Sequence, residues 1–326
     1  MSYNIALIGA GQLGSRHLQG LKTIQLVCKI AVVDPNFDSL RIAKERFEQL
    51  SDNNNIIEIK YLSTIDDIEN IIDLCIISTN SSVRSQITEE IIKKKKVKSI
   101  LFEKILFQKI EDYTKITDII NKHEIKAWVN CPRRLYYEYI SLKKILNDNS
   151  KLTFLLSGGE WGLACNSIHF IDLLAYFTNN IEFQFTTESL DKKIHKSKRD
   201  GYIELTGTLV GEMSNGSKII LNSVANSNSP HIITINGDKI ICIIDETNGE
   251  IRISSQESEW KWEIRKIDIL YQSQLTGKIA EDIILTNKCG LTSFADSVKL
   301  HIPFISSILE FYNKVEDENS DICPIT

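Results

Sequence analysis

The chain has 326 residues, a net charge of −5, and 42% hydrophobic and 25% charged content, the profile of a globular chain with room for two domains and a sizeable core. The negative balance gives no reason to expect a nucleic-acid partner, and no apolar stretch has the length that spans a bilayer. Seven cysteines stand singly with no C-x-x-C pair, so reduced, packed thiols in a cytoplasmic protein are expected, and no metal-ligating cluster stands out.

The chain opens with Tyr3–Arg16, YNIALIGAGQLGSR. Ile5–Ile8 reads as a buried strand, and no signal peptide is expected before it. Gly9, Gly11 and Gly14 then form G-x-G-x-x-G, and a helix starts at Gln12 and Leu13. The first glycine permits the tight turn, the second lets backbone approach a pyrophosphate, and the third lets the helix pack closely on the sheet. The free N–H groups of the helix start face the phosphates. A second apolar run, Leu26–Val33, ends in Asp34, twenty residues after Gly14. A carboxylate there suits the ribose hydroxyls of NAD and repels the 2′-phosphate of NADP, and the next arginine is Arg41. NAD is therefore expected over NADP.

Further elements follow in order. Phe37–Leu50 reads as an amphipathic helix, Ile56–Leu62 as a strand, and Thr64–Asn70 as a short helix capped by Ser63. Ile71–Ser78 is a strand, Ser82–Lys96 a helix, Ser99–Phe102 a strand, Glu111–Lys122 a helix and Ile125–Val129 a strand. The basic run Lys93–Lys96 with Lys98 reads as a solvated helix end. This alternation predicts a doubly wound parallel sheet over residues 1–130. In such a sheet, functional residues sit at the carboxyl ends of strands. Those ends carry Ser78-Thr79-Asn80, Glu103-Lys104, and Asn130 followed by Arg133 and Arg134. A lysine at a cofactor cleft can shuttle protons once desolvation and neighbouring cations lower its pKa.

The rhythm changes at residue 131. Leu135–Asn147 reads as a helix, Leu152–Leu156 as a strand, Ser157-Gly158-Gly159 as a turn, and Ile168–Phe177 as a helix carrying His169 and Asp172. From Ile181 the chain is mostly strand-like: 202–210, 217–223, 231–235, 239–244, 250–253 and 260–267, with turn signals at Asn215-Gly216, Asn236-Gly237 and Asn248-Gly249. A helix over Ser293–Tyr312 closes the fold, and the tail from Glu316 is expected to fray. Residues 131–326 thus read as an α+β domain with a large, mostly antiparallel open sheet. Helices can cover one face, and another copy of the chain can cover the other, which predicts a homodimer or homotetramer.

Together, the glycine turn with Asp34, Glu103-Lys104, Asn130–Arg134, and His169 with Asp172 resemble the glucose–fructose oxidoreductase / inositol dehydrogenase (Gfo/Idh/MocA) family over essentially the whole chain. The resemblance implies a nicotinamide cofactor in the first domain and a sugar, nucleotide sugar or cyclitol against the second domain's sheet. It implies that Gly9, Gly11, Gln12, Leu13, Gly14, Asp34, Ser78, Thr79, Asn80, Glu103 and Lys104 bind the cofactor, and that Lys104 and His169 are the acid/base candidates. The family's Glu-Lys-Pro aligns with Glu103-Lys104-Ile105. A non-proline cis bond costs about 2.5–4 kcal/mol, so the backbone after Lys104 is expected to differ. The Asp that usually precedes the helix His by four residues is Cys165 here, which reads as a packed thiol. Asn80 replaces the Pro of the family's Thr-Pro, and Arg84 replaces that motif's downstream His. Arg133, Arg134 and Tyr136 either clamp a substrate phosphate or carboxylate, or bridge to Glu138 or Glu160. Trp161, Cys165 and Asn166 are further substrate-side candidates. The runs CNSIHFIDLL and VNCPRR look like family members associated with bacterial surface-polysaccharide sugars. A non-catalytic dinucleotide-binding sensor, or a redox-assisted elimination or epimerisation, uses the same scaffold.

Overall fold

The computed structural model describes residues 2–146 and 150–326, so the expected helix end at Asn147 lies outside the described residues. The chain runs β1 (Tyr3–Ile8), α1 (Gln12–Leu21), β2 (Cys28–Val33), α2 (Phe37–Glu48), β3 (Ile56–Leu62), β4 (Ile71–Ile72), β5 (Leu74–Ile77), α3 (Ser81–Lys94), β6 (Lys96–Val97), β7 (Ser99–Phe102), α4 (Ile110–Lys122) and β8 (Lys126–Val129). It continues with α5 (Tyr137–Leu146), β9 (Thr153–Gly159), α6 (Leu163–Thr178), β10 (Phe183–Thr186), β11 (His195–Lys196), β12 (Ile203–Glu204), β13 (Gly207–Met213), β14 (Lys218–Val224), β15 (Ile232–Asn236), β16 (Ile240–Asp245), β17 (Glu250–Ser255) and β18 (Glu263–Lys266). It ends with α7 (Gln272–Thr286), β19 (Thr292–Ser293) and α8 (Phe294–Glu316).

Two compact units result. The first comprises the chain up to Phe107, Glu111–Asn130 and Leu270–Ala295; the second comprises Gln108–Ile110, Cys131–Ile269 and Asp296–Thr326. The first unit is a seven-stranded sheet in the order β19-β8-β7-β5-β1-β2-β3, parallel except for β19. Its central strand β5, Leu-Cys-Ile-Ile, is fully buried on both faces, as a doubly covered parallel sheet requires. The strand order reverses between β1 and β5, the crevice where doubly wound sheets bind ligands. The basic run at the end of α3 is tied down locally: Lys94 bonds Asp66 and Glu90, and Lys98 bonds Asp73.

The second unit carries an eight-stranded sheet, β10-β13-β14-β9-β15-β16-β17-β18, antiparallel except for the parallel pair β14 and β9. Side chains alternate along each strand. Phe154, Leu156, Ile219, Leu221, Ile233 and Ile235 are buried on one face. Among the described residues, no helix is long and apolar enough to cross a membrane. None of the seven cysteines forms a disulfide. Burial pushes the Cys28 thiol up to about 11 and the Cys242 thiol up to about 12, away from the thiolate a nucleophile needs.

Several sequence expectations are corrected. The helix expected over Thr64–Asn70 is a single 3-10 turn, Ile65–Asp67, and its cap is Thr64, whose hydroxyl accepts from the Asp66 N–H. Ser157-Gly158-Gly159 is not a turn but the end of β9, paired with Asn222, Ser223 and Val224. A Cβ on Gly158 would lie 2.5 Å from the His231 Cα, and one on Gly159 2.3 Å from the Ser227 carbonyl oxygen. These glycines serve close backbone approach rather than chain reversal. α6 starts at Leu163, so Cys165 and Asn166 are helical and His169 sits in its second turn rather than at its head. The tail does not fray. Cys323 and Ile325 are fully buried, the Cys323 N–H donates to the Gln108 carbonyl, and the Pro324 carbonyl accepts from the Ile203 N–H. α7, with Leu275, Ile279, Ala280 and Ile283 buried along one stripe, is an element the sequence reading does not contain.

Candidate functional site

The first unit presents a cavity of about 560 Å³ at the carboxyl ends of β1, β2 and β5, lined by Gly9, Gly11, Asp34, Ser78, Thr79 and Asn80 among others. Gly9 has φ +95, and a Cβ on it would meet the Thr79 N–H at 2.9 Å. A Cβ on Gly14 would meet the Gly9 carbonyl oxygen at 1.9 Å, so only glycine lets α1 pack against the turn. Nothing lies within 4 Å of a Cβ on Gly11, which leaves that backbone open to a ligand. α1 has Gly11 as its N-cap, with no side-chain cap and no acidic residue in the first turn. The N–H groups of its opening residues therefore remain available to an anion. Gln12 and Leu13 open α1 and do not line the cavity.

Asp34 follows β2 with its carboxylate held in place. One oxygen accepts from the Ala10 N–H at 2.7 Å, the other from the Asn36 N–H at 2.8 Å. Ser78 Oγ lies 2.7 Å from the Gly9 carbonyl oxygen and locks the turn from the neighbouring strand. Thr79 Oγ1 is buried with no hydrogen-bond partner among the described residues. An orphaned hydroxyl, an uncapped helix start and a fixed carboxylate at the ribose position fit an adenine dinucleotide. The lining residues include no Lys or Arg. Arg41 is engaged by Glu45 at 2.8 Å and Asp38 at 3.5 Å.

Lys104 follows β7 and is half-buried. Neither Lys104 nor Glu103 before it lines the cavity of the glycine turn, and Glu103 turns inward. It is buried, and its carboxylate is occupied by His17 Nε2 at 2.8 Å and by the Asn130 side-chain amide. The Lys104–Ile105 peptide is cis, so the expected departure of the backbone does not occur. Arg84 fixes that segment, donating to the Ile105, Leu106 and Thr79 carbonyls, and the Ile105 side chain is fully buried.

The second unit holds its candidate residues in ion pairs that differ from those anticipated. Arg133 grips Glu246 bidentately, Nε–Oε1 2.9 Å and Nη2–Oε2 2.7 Å, and lies over the Phe170 ring at 4.3 Å. Arg134 grips Asp172 the same way, at 2.9 and 3.0 Å. Neither pairs with Glu138 or Glu160, and neither guanidinium is open for a bidentate substrate clamp. Both bridges lie within the second unit. Burial raises the Glu246 carboxyl, but the Arg133 charge and hydrogen bonds from His231, Arg133 and Tyr139 outweigh it and hold the group well below the usual carboxylate range. Tyr136 is buried and stacks on Tyr139. Trp161 donates its indole N–H to the Asn222 carbonyl, and Asn166 donates back to the Trp161 carbonyl. Glu204, from β12, accepts from the Ala164 and Cys165 N–H groups at 2.9 and 3.2 Å and so caps α6, which Gly162 leaves without a side-chain cap. Cys165 and His169 are one turn apart on α6, both half-buried.

Comparison with known proteins identifies the first part of the chain. Residues 3–131 match the model of the oxidoreductase family with an NAD-binding Rossmann fold. The N-terminal domain belongs to the Gfo/Idh/MocA family. Solved structures with this fold match nearly the whole chain. An oxidoreductase from Agrobacterium radiobacter in complex with NAD+, L-tartaric acid and magnesium aligns with TM-score 0.73 and 14% identity over 96% of this chain and 97% of its own. UDP-N-acetylglucosamine 3-dehydrogenase GnnA from Acidithiobacillus ferrooxidans aligns with TM-score 0.69 and 14% identity over 94% and 97%. A super-repressor mutant of Gal80p from Saccharomyces cerevisiae aligns with TM-score 0.72 and 12% identity over 96% and 97%. No curated protein sequence matches the chain significantly.

Within this Gfo/Idh/MocA frame, His17, Gln272 and Thr276 are the polar residues the sequence reading passes over. His17 Nδ1 lies 3.0 Å from Thr276 Oγ1, and Asn130 donates to Gln272 Oε1 at 2.7 Å. His17 carried a signal, since it stands one helical turn after the glycine motif on the face α1 buries. Gln272 and Thr276 carried none, standing more than 140 residues from Asn130 and 250 from His17.

Proposed function

We propose that the protein is an NAD(H)-dependent oxidoreductase that moves a hydride to or from a hydroxyl or keto carbon of a sugar or nucleotide sugar, with a place in bacterial surface-polysaccharide sugar biosynthesis. The bound nicotinamide supplies the hydride donor or acceptor. The observation that carries the reading is the fixation of Lys104. The residue before it is locked in a buried carboxylate network, and the residue after it has its carbonyl held by Arg84. An ordinary solvated loop lysine has no such support. Lys104 holds or moves the hydroxyl proton, with His169 as the other acid/base candidate. NAD is favoured over NADP because Asp34 lines the cavity and no Lys or Arg does. UDP-N-acetylglucosamine 3-dehydrogenase shares the fold and supports the nucleotide-sugar class. The Gal80p repressor shares it too, and motivates the second reading, a non-catalytic dinucleotide sensor. A homodimer or homotetramer through the open face of the eight-stranded sheet completes the proposal.

The test is the reduced-nicotinamide absorbance of the purified protein with NAD or NADH and a panel of sugars and nucleotide sugars, alongside Lys104→Met. Turnover that falls about 10²–10⁴-fold in the variant supports the dehydrogenase reading. Tight NADH binding with no turnover, unchanged by Lys104→Met, favours the sensor.

A further inference from the structure

A buried polar cluster of the first unit lies next to Lys104 in the chain and outside the cavity. Its centre is the Glu103 carboxylate, which is 3% exposed and which the fully buried His17 ring meets at 2.8 Å. His17 reaches the Thr276 hydroxyl through its other ring nitrogen at 3.0 Å. The Gln272 side-chain N–H donates to the same hydroxyl at 2.9 Å. Asn130 donates to both Glu103 and Gln272. Four elements therefore meet in one network: α1 of the glycine turn and the end of β8 bond the carboxylate at the end of β7, and α7 bonds both of those partners. Burying this many polar groups is costly unless each is satisfied, and removing one member strands the others. A fold that needed only packing here could fill the space with apolar side chains, as β5 and β7 do around it. The polar hub coincides with the residue bonded directly to Lys104.

We propose that His17 is a positioning residue for Lys104. It fixes the Glu103 carboxylate, and through the Glu103–Lys104 peptide it sets where the lysine amine stands at the carboxyl end of β7. Because His17 is on the helix whose N-terminus faces the dinucleotide phosphates, one helix orients both cofactor and lysine. His17 does not touch substrate or cofactor in this role. The inference rests on the reading of Lys104 as the proton-transfer residue.

Four full-length variants test it: His17→Ala, His17→Gln, Glu103→Gln and Lys104→Met. Two readouts are used, steady-state kinetics across pH and competitive acetylation of individual lysines by acetic anhydride, read by mass spectrometry. The expected kinetic result is a kcat lower by about tenfold or more in His17→Ala, with the cofactor KM nearly unchanged and the pH profile of kcat displaced. His17→Gln, whose amide N–H can meet the same carboxylate, recovers most of the loss. The acetylation rate of Lys104 changes in His17→Ala and Glu103→Gln, while that of surface lysines such as Lys60 and Lys126 does not. If His17→Ala fails to fold, Glu103→Gln carries the same expectation. A folded His17→Ala with wild-type kcat and wild-type Lys104 acetylation overturns the proposal. So does a loss of kcat with an undisplaced pH profile and no recovery in His17→Gln. If Lys104→Met retains full turnover, the reading of Lys104 itself fails. If it is inactive while His17→Ala matches wild type, only the positioning role fails. Where no substrate turns over, acetylation of Lys104 decides alone.

Discussion

Arg133 stands one residue after Pro132 and 113 residues before Glu246, the carboxylate it grips at 2.7 and 2.9 Å. Nothing local to VNCPRR announces that partner, so residue type and position alone left a substrate clamp and an ion pair equally open. Glu246, with a side chain 6% exposed, also accepts from Tyr139 at 2.7 Å and sits 3.5 Å from His231. Removing one member of such a pair leaves the other buried and uncompensated. Glu246→Gln should lower unfolding stability by about 3–5 kcal/mol at neutral pH. The folded carboxyl is depressed, so its contribution is fully present above the unfolded-state value near 4.3 and is lost as pH falls from there toward the folded value. Urea melts at neutral and acidic pH check this. The gap between wild type and variant should be constant above about pH 5 and narrow below about pH 4; a gap that widens in acid contradicts the account. The glycine-turn residues and Asp34 were legible because their chemistry is local: a positive φ at Gly9, a 1.9 Å approach at Gly14, and a carboxylate at a strand end. Glu103 was singled out through the Glu-Lys motif, and nothing local to it marks its partner His17, 86 residues earlier.

At the scale of elements, the first sheet was readable nearly strand by strand, since apolar runs alternating with amphipathic helices leave few alternatives. The second sheet was readable as hairpins, because period-2 alternation and Asn-Gly turns mark them. Gly158-Gly159 reads as a turn from composition but is strand, because what demands glycine is the approach of His231 and Ser227, seventy residues on. α7 escaped because it follows a long run of strands, although its buried stripe has helical spacing. The open face of the sheet carries a lateral row that the pairing registers place side by side: Val210, Ile220, Leu155, Thr234 and Ile243. All five are half-buried and four are apolar. The row next to it is polar, with Asn222 bonded to both Ser157 and Thr208. A wide sheet face with an apolar stripe is a surface for association, and a second copy brings the same stripe. Ile220→Lys, pointing a charge out of that row, should convert a dimer or tetramer to monomer in sedimentation equilibrium. A wild-type protein that is monomeric at micromolar concentration contradicts this proposal.

At the scale of the molecule, each unit has its own core and its own fixed polar centre. The first unit is completed by a return of the chain, Leu270–Ala295, which adds β19 to the sheet and supplies Gln272 and Thr276 to the Glu103 hub. A division drawn at one point, 130/131, has no place for that return, because composition changes once along the chain while the fold crosses more than once. The dinucleotide cavity, the supported lysine and the family of the first domain are what the proposal of hydride transfer to or from a sugar carbon rests on. The most direct measurement supplies NADH deuterated at nicotinamide C4 together with keto forms of nucleotide sugars, and follows the mass of the product. The account predicts one deuterium on the carbon that carried the carbonyl, delivered about 10²–10⁴-fold more slowly by Lys104→Met. Bound NADH that delivers no deuterium to any member of the panel, or product that forms with no net change in NADH, would contradict it.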